Sequence, residues 1–408
     1  MTRKRLILLL SAVSLAFTLQ AQERVPGFTE VQAGVRFASG DLFPAEGTGL
    51  LSGIVEGRAA HALDSIRNIE GNVSYERGVK RAVTGNNSSD WLLLAPYVMT
   101  DTVGGDLQKE QYRFYARYSA RPGRHFLYGV HLSYRALHEY REVDPRPRNV
   151  TNDLLLGFSA GWRGSQYALA AQLSYRKYHQ ISNVAFYNPL GYNTAVFHSY
   201  GPGRYNTRFS GGSASMSSRF RGNGAELLVT LEPLCVIGWK AGVSYSVFQV
   251  VRHLPTYNET PLTSLLHQRW QLYAGYRWKR SSVEARTGVS LREGTENVID
   301  NSSAFNAILG LPLFHSASYW GRLTGSHAWQ GRVFGLRLSP EAGFLWAQAG
   351  QTGEWNRTLM LTGAALRARA SWTLTPGRKI YLEGHVQMLI NEEAKHLVTS
   401  NLSLGLNF

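Results

Sequence analysis

A single cysteine, Cys235, among 408 residues leaves nothing to pair, so a disulfide framework and a cysteine-ligated zinc site are both excluded. Charge is scarce as well. Asp, Glu, Lys and Arg make up 17% of the chain, too little for a disordered polymer that also carries 12% aromatic residues. Beyond the first twenty residues no stretch reaches the roughly 18 unbroken apolar residues of a helical span, which rules out a multi-helix membrane protein. Lysine is nearly missing, with eight against 35 arginines, and guanidinium forks suit carboxylate, phosphate and lipid headgroups better than ammonium does. Walker, HExxH and EF-hand patterns are absent, so no metal and no cofactor is expected.

The chain begins with an address. Thr2-Arg3-Lys4-Arg5 is a basic n-region, Leu6 to Phe17 an apolar core, and Ala21 a small residue before Gln22. The expectation is a cleaved signal peptide over 1–21 and one domain over 22–408. No cysteine lies near the cleavage position for lipid attachment. The formal charge of +15 falls to about +12 on cleavage, still strongly basic. A pI near 9.9 invites a nucleic-acid reading, but no recognised motif or basic helix supports one, and no nucleic acid is expected as a partner.

Past the signal the period is two almost everywhere. Tyr112, Phe114, Ala116 and Tyr118 alternate with Gln111, Arg113, Tyr115, Arg117 and Ser119. The same parity runs through Leu154, Leu156, Phe158, Ala160 and Trp162, through Leu266, Trp270, Leu272, Ala274, Tyr276 and Trp278, and through Val398, Leu402, Leu404, Leu406 and Phe408. Each reads as a strand with one apolar face. Short connections, such as 121–124, 164–165 and 376–377, alternate with long ones, 181–207 and 294–314, as on the two ends of an up-and-down antiparallel barrel.

Strands are expected near 29–39, 48–61, 66–79, 109–120, 125–142, 153–163, 166–180, 208–232, 236–252, 264–279, 281–293, 315–329, 332–349, 357–374, 378–390 and 396–408. That is a transmembrane β-barrel of about sixteen strands, with fourteen and eighteen left open and an even number required of bacterial single-chain barrels. The segment 208–232 is read as one long bulged strand despite Arg221-Gly222-Asn223-Gly224. The region 81–108, with Trp91-Leu92-Leu93-Leu94, either hides further strands or folds into the lumen. A soluble sandwich or propeller would show the same alternation. Aromatics near strand ends (Tyr112, Tyr134, Trp162, Tyr175, Trp278, Trp372), the lack of a blade repeat and the aromatic chain end favour the membrane barrel. Leu404, Leu406 and Phe408 resemble the assembly signal of outer-membrane barrels, so the assembly machinery, outer-membrane lipid and lipopolysaccharide are the expected partners, with an extracellular or uptake-system partner left open.

Several segments resemble an uncharacterised family of Bacteroidota outer-membrane β-barrels, a domain of unknown function. They are Gly129-Val130-His131-Leu132-Ser133-Tyr134-Arg135, Asp144-Pro145-Arg146-Pro147, Leu154 to Trp162, Gln172-Leu173-Ser174-Tyr175-Arg176, Gly294-Thr295-Glu296-Asn297 and Pro340-Glu341-Ala342-Gly343-Phe344. The resemblance implies fold and location; it brings no catalytic residue and no substrate.

The polar parity sends Arg36, Arg58, Arg113, Arg117, Arg135, Arg163, Arg176, Arg269, Arg277, Arg286, Arg292, Arg337, Arg367, Arg369 and Lys379 into the lumen, against Glu56, Glu70, Glu76, Glu284, Glu341 and Glu383. An excess of about nine positive charges is expected there, since a charge on the lipid face costs roughly 2–4 kcal/mol at midplane. Either the arginines and glutamates form a filling network, or the lumen attracts anions. His131 and Ser133, with Glu139 or Glu142 downstream, resemble the His-x-Ser and Glu arrangement of a lipid A deacylase, but their parity faces the lumen, away from acyl chains. His385 with Glu383 reads equally as an ordinary lumen pair. The stretch 186–205 offers Phe186, Tyr187, Tyr192, Phe197, Tyr200 and Tyr205, as a self-packed cap or a partner surface. The resulting expectation is a non-enzymatic transport or accessory transport barrel favouring anionic solutes. A plugged structural or adhesin-like barrel is the alternative, and a lipid A-modifying enzyme ranks below both.

Overall fold

The computed structural model describes residues 27–187, 196–201, 204–206, 215–255, 260–299, 308–351, 354–375 and 377–407. The expected signal segment, Tyr192 and Phe408 lie outside the described residues. In chain order the strands are β1 (Phe28–Gly40), β2 (Gly49–Ala62), β3 (Arg67–Val83), β4 (Met99–Asp101), β5 (Gly105–Ala120), β6 (Phe126–Tyr140), β7 (Arg146–Arg163), β8 (Tyr167–Ala185), β9 (Val196–Gly201), β10 (Arg204–Asn206), β11 (Ser215–Pro233), β12 (Gly238–Leu254), β13 (Thr260–Arg277), β14 (Ser281–Ile299), β15 (Ile308–Gln330), β16 (Phe334–Gln351), β17 (Glu354–Thr375), β18 (Arg378–Asn391) and β19 (His396–Asn407). One helical turn, α1 (Trp91–Leu94), lies between β3 and β4.

All but β4, β9 and β10 form one closed antiparallel barrel of sixteen strands, sealed where β19 pairs with β1 from Glu30↔Asn407 to Gly40↔Leu397. Closure gives every wall strand a partner on both sides and leaves no edge. β11 is one strand paired without a register shift to β8 and β12 through Arg221-Gly222-Asn223-Gly224, so the bulge expected there is absent. The strands also run further than expected at the long-loop end. Residues 146–152, 181–185, 294–299 and 308–314 continue the ladder instead of forming loops.

The parity holds around the wall. Val31, Val35, Leu132, Phe158, Leu173, Leu227, Leu272, Leu366 and Leu402 point outward and are exposed. Near the short-turn end the outward face carries aromatic pairs, Phe126 on Trp162 (5.0 Å), Trp239 on Tyr276 (5.1 Å) and Phe334 on Trp372 (5.6 Å). A second set, Tyr245 on Trp270 (4.3 Å), Phe114 on Tyr134 (6.4 Å) and Tyr319 on Trp346 (5.5 Å), lies further toward the long loops. Six to twelve residues along a strand separate the two sets, roughly 15–30 Å of height for a tilted strand, a range that brackets the apolar band of a membrane barrel.

Inside, the polarity changes with height. Towards the long loops the inward positions turn apolar (Phe220, Val250, Leu265, Phe314, Leu345, Ala347, Leu361) and pack with Leu42 and Phe43 of the β1–β2 connection. The segment 84–104 folds into that space, burying Leu94, Tyr97 and Val98, with Trp91, Leu92 and Leu93 against the same cluster. Each fully buried large apolar side chain contributes about 1.5–3 kcal/mol. β4 in this segment pairs with β9, and β9 with β10, making a three-stranded sheet. Of the two readings of 81–108, inward folding is what occurs, with one three-residue strand besides.

Seating the plug depends on Gly294. A Cβ there would lie 2.2 Å from the Tyr97 hydroxyl, so only glycine leaves the ring its place. Gly294→Leu is expected to unseat 84–104 without opening the wall. Chymotrypsin should then cut at Trp91 or Tyr97 while the barrel keeps its heat-modifiable mobility, and an uncut segment would count against this seating.

Candidate lumenal site

The inward face is built by alternation, and its charges meet across strands. Arg36 on β1 reaches Glu76 on β3 at 2.9 Å, where Lys109 (2.8 Å) and Ser52 (2.9 Å) share the carboxylate. Arg58 pairs with Glu56 at 2.5 Å, and Arg176 on β8 holds Asp153 on β7 with both oxygens at 2.8 Å. Near the short-turn end Arg286 and Lys240 both grip Glu284, and Arg369 spans Glu30 (2.6 Å) and Glu383 (3.6 Å) while lying over the Tyr381 ring. Arg322 meets Glu341 at 3.5 Å.

A second set of contacts fixes the plug to the wall. Arg135 on β6 forks onto Asp90 at 2.9 and 2.5 Å and also reaches Asp153 at 3.4 Å, and the Tyr178 hydroxyl donates to Asp90 at 3.0 Å. Ser89 donates to Glu139 (2.6 Å), whose other oxygen meets Lys80 (2.9 Å). Arg292 donates to the carbonyls of Leu93 and Ala95, Arg252 to that of Val98, and Arg141 to Asp101. Plug carbonyls and carboxylates thus receive guanidinium donors in a water-poor space where an unmet acceptor costs about 1–3 kcal/mol.

Beneath the plug lies a cavity of about 1210 Å³. Its lining includes Asp90, Leu92 and Leu93 above and Arg58, Tyr273, Arg286 and Arg369 towards the short turns. Ten arginines and seven carboxylates line it, an excess of three. The excess of nine was expected over the whole interior, of which this cavity is one level. Glu46, Asp90, Asp153 and Glu226 were missing from the sequence tally, and Arg117, Arg163, Arg277, Arg292 and Lys379 do not line the cavity. Eight of the ten arginines expected as lumen-lining do so (Arg113, Arg135, Arg176, Arg269, Arg286, Arg337, Arg367 and Arg369), along with Glu383; Arg117, Arg277, Glu284 and Glu341 do not. Arg113, Arg337 and Arg367 have no carboxylate within 4 Å among the described residues.

His131 and Ser133 also line the cavity, with Gly157 making room for the imidazole. The acid that a triad needs is elsewhere. Glu139 is eight residues further along the same strand, roughly 26 Å away, and is engaged by Lys80 and Ser89, while Glu142 is exposed in the following turn. Of the loop aromatics, Tyr187 is exposed beneath the Arg146 guanidinium at 4.5 Å from its centroid, and Phe197 lies half-buried on β9. Tyr200 and Tyr205 fall on β9 and β10. Among the described residues no group of three His, Cys, Asp or Glu is placed to hold a metal ion.

The model of a family of unknown function, DUF6850, matches residues 16–407. No curated protein matches in sequence. Solved structures that share the barrel form include a bacterial polysaccharide outer-membrane secretin (11% identity, 93% of this chain and 98% of that one, TM-score 0.43) and the Ralstonia pickettii toluene transporter TbuX (11%, 94% and 89%, 0.39). A Pseudomonas aeruginosa FadL homologue is a third (9%, 94% and 89%, 0.39).

Asp90 gives the plug a defined acid response. Burial pushes its carboxyl up, but the Arg135 guanidinium and the Tyr178 hydroxyl outweigh that and hold it well below the usual carboxylate range. A lowered value means the pairing contributes fully above the free aspartate value of about 3.9 and is lost only as pH falls through the lower one. Plug docking should thus be constant from pH 8 to 5. Asp90→Asn should weaken it by roughly 3 kcal/mol, the low end for a broken buried pair because Arg135 retains Asp153. Bilayer current that appears in the variant and stays absent in the parent across this range checks the assignment, and current in the parent near pH 5 would contradict it.

Proposed function

Since the chain belongs to DUF6850, a family of unknown function, we propose from its own geometry that it is an integral outer-membrane barrel of transport type, without enzymatic activity. The observation that carries this reading is the plugged, arginine-lined cavity inside a closed wall that wears an apolar outer band between two aromatic sets. Short turns then face the periplasm and the long-loop end faces outward. The cavity favours anionic solutes modestly, since most of its guanidiniums are already matched to carboxylates. In this reading the origin is a Bacteroidota outer membrane, as the sequence resemblance implies. Lipopolysaccharide surrounds the barrel, and the assembly machinery reads Leu404, Leu406 and Phe408.

The plug also favours the second reading, a structural or adhesin-like barrel whose partners meet the outer loops. Conductance separates the two. The protein is expected in the outer-membrane fraction, with almost no current in planar bilayers. Replacing 86–100 by a short Gly/Ser linker should open a pore with anion preference, drawn toward neutrality by Arg113→Gln, Arg337→Gln and Arg367→Gln and weakened in 1 M salt, where screening falls to about 3 Å. A pore without preference would refute the anionic reading, and a soluble periplasmic protein would refute the location.

A further inference from the structure

On one flank the outer wall turns from apolar to basic along a single line of register. The outward positions of β8, β11 and β12 are apolar or aromatic up to the row formed by Tyr175, Ala225 and Val247. The next row towards the long loops is Lys177, Asn223 and Gln249, and the Tyr175 hydroxyl donates to Asn223 across the boundary at 2.7 Å. Two further rows set His179 beside Arg221 and Arg219 beside His253. Lys177 and Arg221 are exposed, and the other three basic side chains are half-buried. Five of them thus share a patch roughly 10 Å across three strands and 13 Å along them.

Acidic residues are missing from this face. Among the described residues β6, β7, β8, β11, β12 and β13 carry four carboxylates, Glu139, Asp153, Glu226 and Glu232, and all four lie on the inward parity. Another flank is balanced: Arg77 on β3 stands opposite Glu110 on β5, and Arg81 meets Asp106 at 2.5 Å. Like charges side by side on a sheet face are destabilising, and an anion bridging the rows would relieve that cost. The boundary row also fixes the height. Val247 is two residues past Tyr245 of the upper aromatic pair, so the basic rows begin where hydrocarbon gives way to headgroups on the long-loop side. Arginine forks suit phosphate there, and the patch is wide enough for a sugar headgroup with a phosphate at each end.

We propose that Lys177, His179, Arg219, Arg221 and His253 form a binding site for the phosphorylated headgroup of one lipopolysaccharide molecule, whose acyl chains lie on the apolar rows below, against Leu173 and Leu227. This rests on the outer-membrane reading, with the long loops outward, and adds to it one lipid held on one flank, where bulk lipid would touch every strand alike.

The test titrates diphosphoryl lipid A against full-length protein in a neutral detergent, read by native mass spectrometry. One lipid A is expected to bind first, with affinity at least tenfold lower in Lys177→Gln/Arg219→Gln/Arg221→Gln. Arg77→Gln, which removes an outward guanidinium from the balanced flank, should change it less than twofold. Arg219→Lys/Arg221→Lys should keep most of it. On the parent protein, lipid A stripped of its phosphates should bind at least tenfold more weakly, and added salt should weaken binding through screening. Equal affinity in the triple variant with the parent's heat-modifiable mobility, an equal loss in Arg77→Gln, or phosphatidylglycerol bound as tightly as lipid A would overturn the site. Displacement by inorganic phosphate at the lipid's own concentration would overturn it too, since a free anion would then suffice. Fractionation of the same strains keeps the two readings apart. A protein that stays in the outer membrane but binds lipid A without regard to these variants loses this site alone, whereas a soluble periplasmic protein loses the location.

Discussion

A closed sheet of sixteen strands encloses more room than its own side chains can fill, and the rest of this structure answers that constraint. Eight-stranded walls can meet in the middle; this one needs water or inserted chain. It uses both, at different heights. Towards the long loops the inward positions are Phe220, Val250, Leu265, Phe314, Leu345 and Leu361, and the segment carrying Leu94, Tyr97 and Val98 completes a core with them. Lower down the inward positions are charged, and a cavity of about 1210 Å³ remains.

Electrostatics follow from the same division. A charged side chain facing inward is partly desolvated, so isolated charges are expensive and paired ones must stay paired. Arg135 shows the consequence, standing between Asp90 of the plug and Asp153 of the adjacent strand. It ties the plug to the wall and, through Asp153, to the Arg176 pair. Arg292 and Arg252 do similar work with carbonyl oxygens in place of carboxylates. Six of the ten arginines that line the cavity are held by carboxylates, and among the described lining residues Arg113, Arg337 and Arg367 have no carboxylate within 4 Å.

The wall was legible because its signal repeats. Period two, clean in strands such as 154–162 and 398–406, survives any single ambiguous residue, and all sixteen strands lie near their expected places. The plug was only half legible. Trp91-Leu92-Leu93-Leu94 stood out as an apolar run in a loop, but its receiving surface is spread over seven strands, from β8 to β17, and no local pattern links them. One signal was available: inward parity turning apolar in Val250, Leu265, Leu345, Ala347 and Leu361 near the long-loop ends. The make-up of the cavity was less legible for another reason. Parity tells which face a charge occupies but not its height, so Arg117, Arg277 and Glu284 were counted with residues at other levels, while Asp90 and Glu46, contributed by connections, were invisible to strand parity.

On the proposed transport reading, the plug seals the cavity on the long-loop side, and access is from the short-turn, periplasmic side. Labelling of a cavity cysteine, Ser133→Cys in a Cys235→Ser background, by a membrane-impermeant maleimide tests it most directly. Intact cells should leave the cysteine unmodified, and cells with a permeabilised outer membrane should label it readily. Equal labelling in intact cells would contradict the seal.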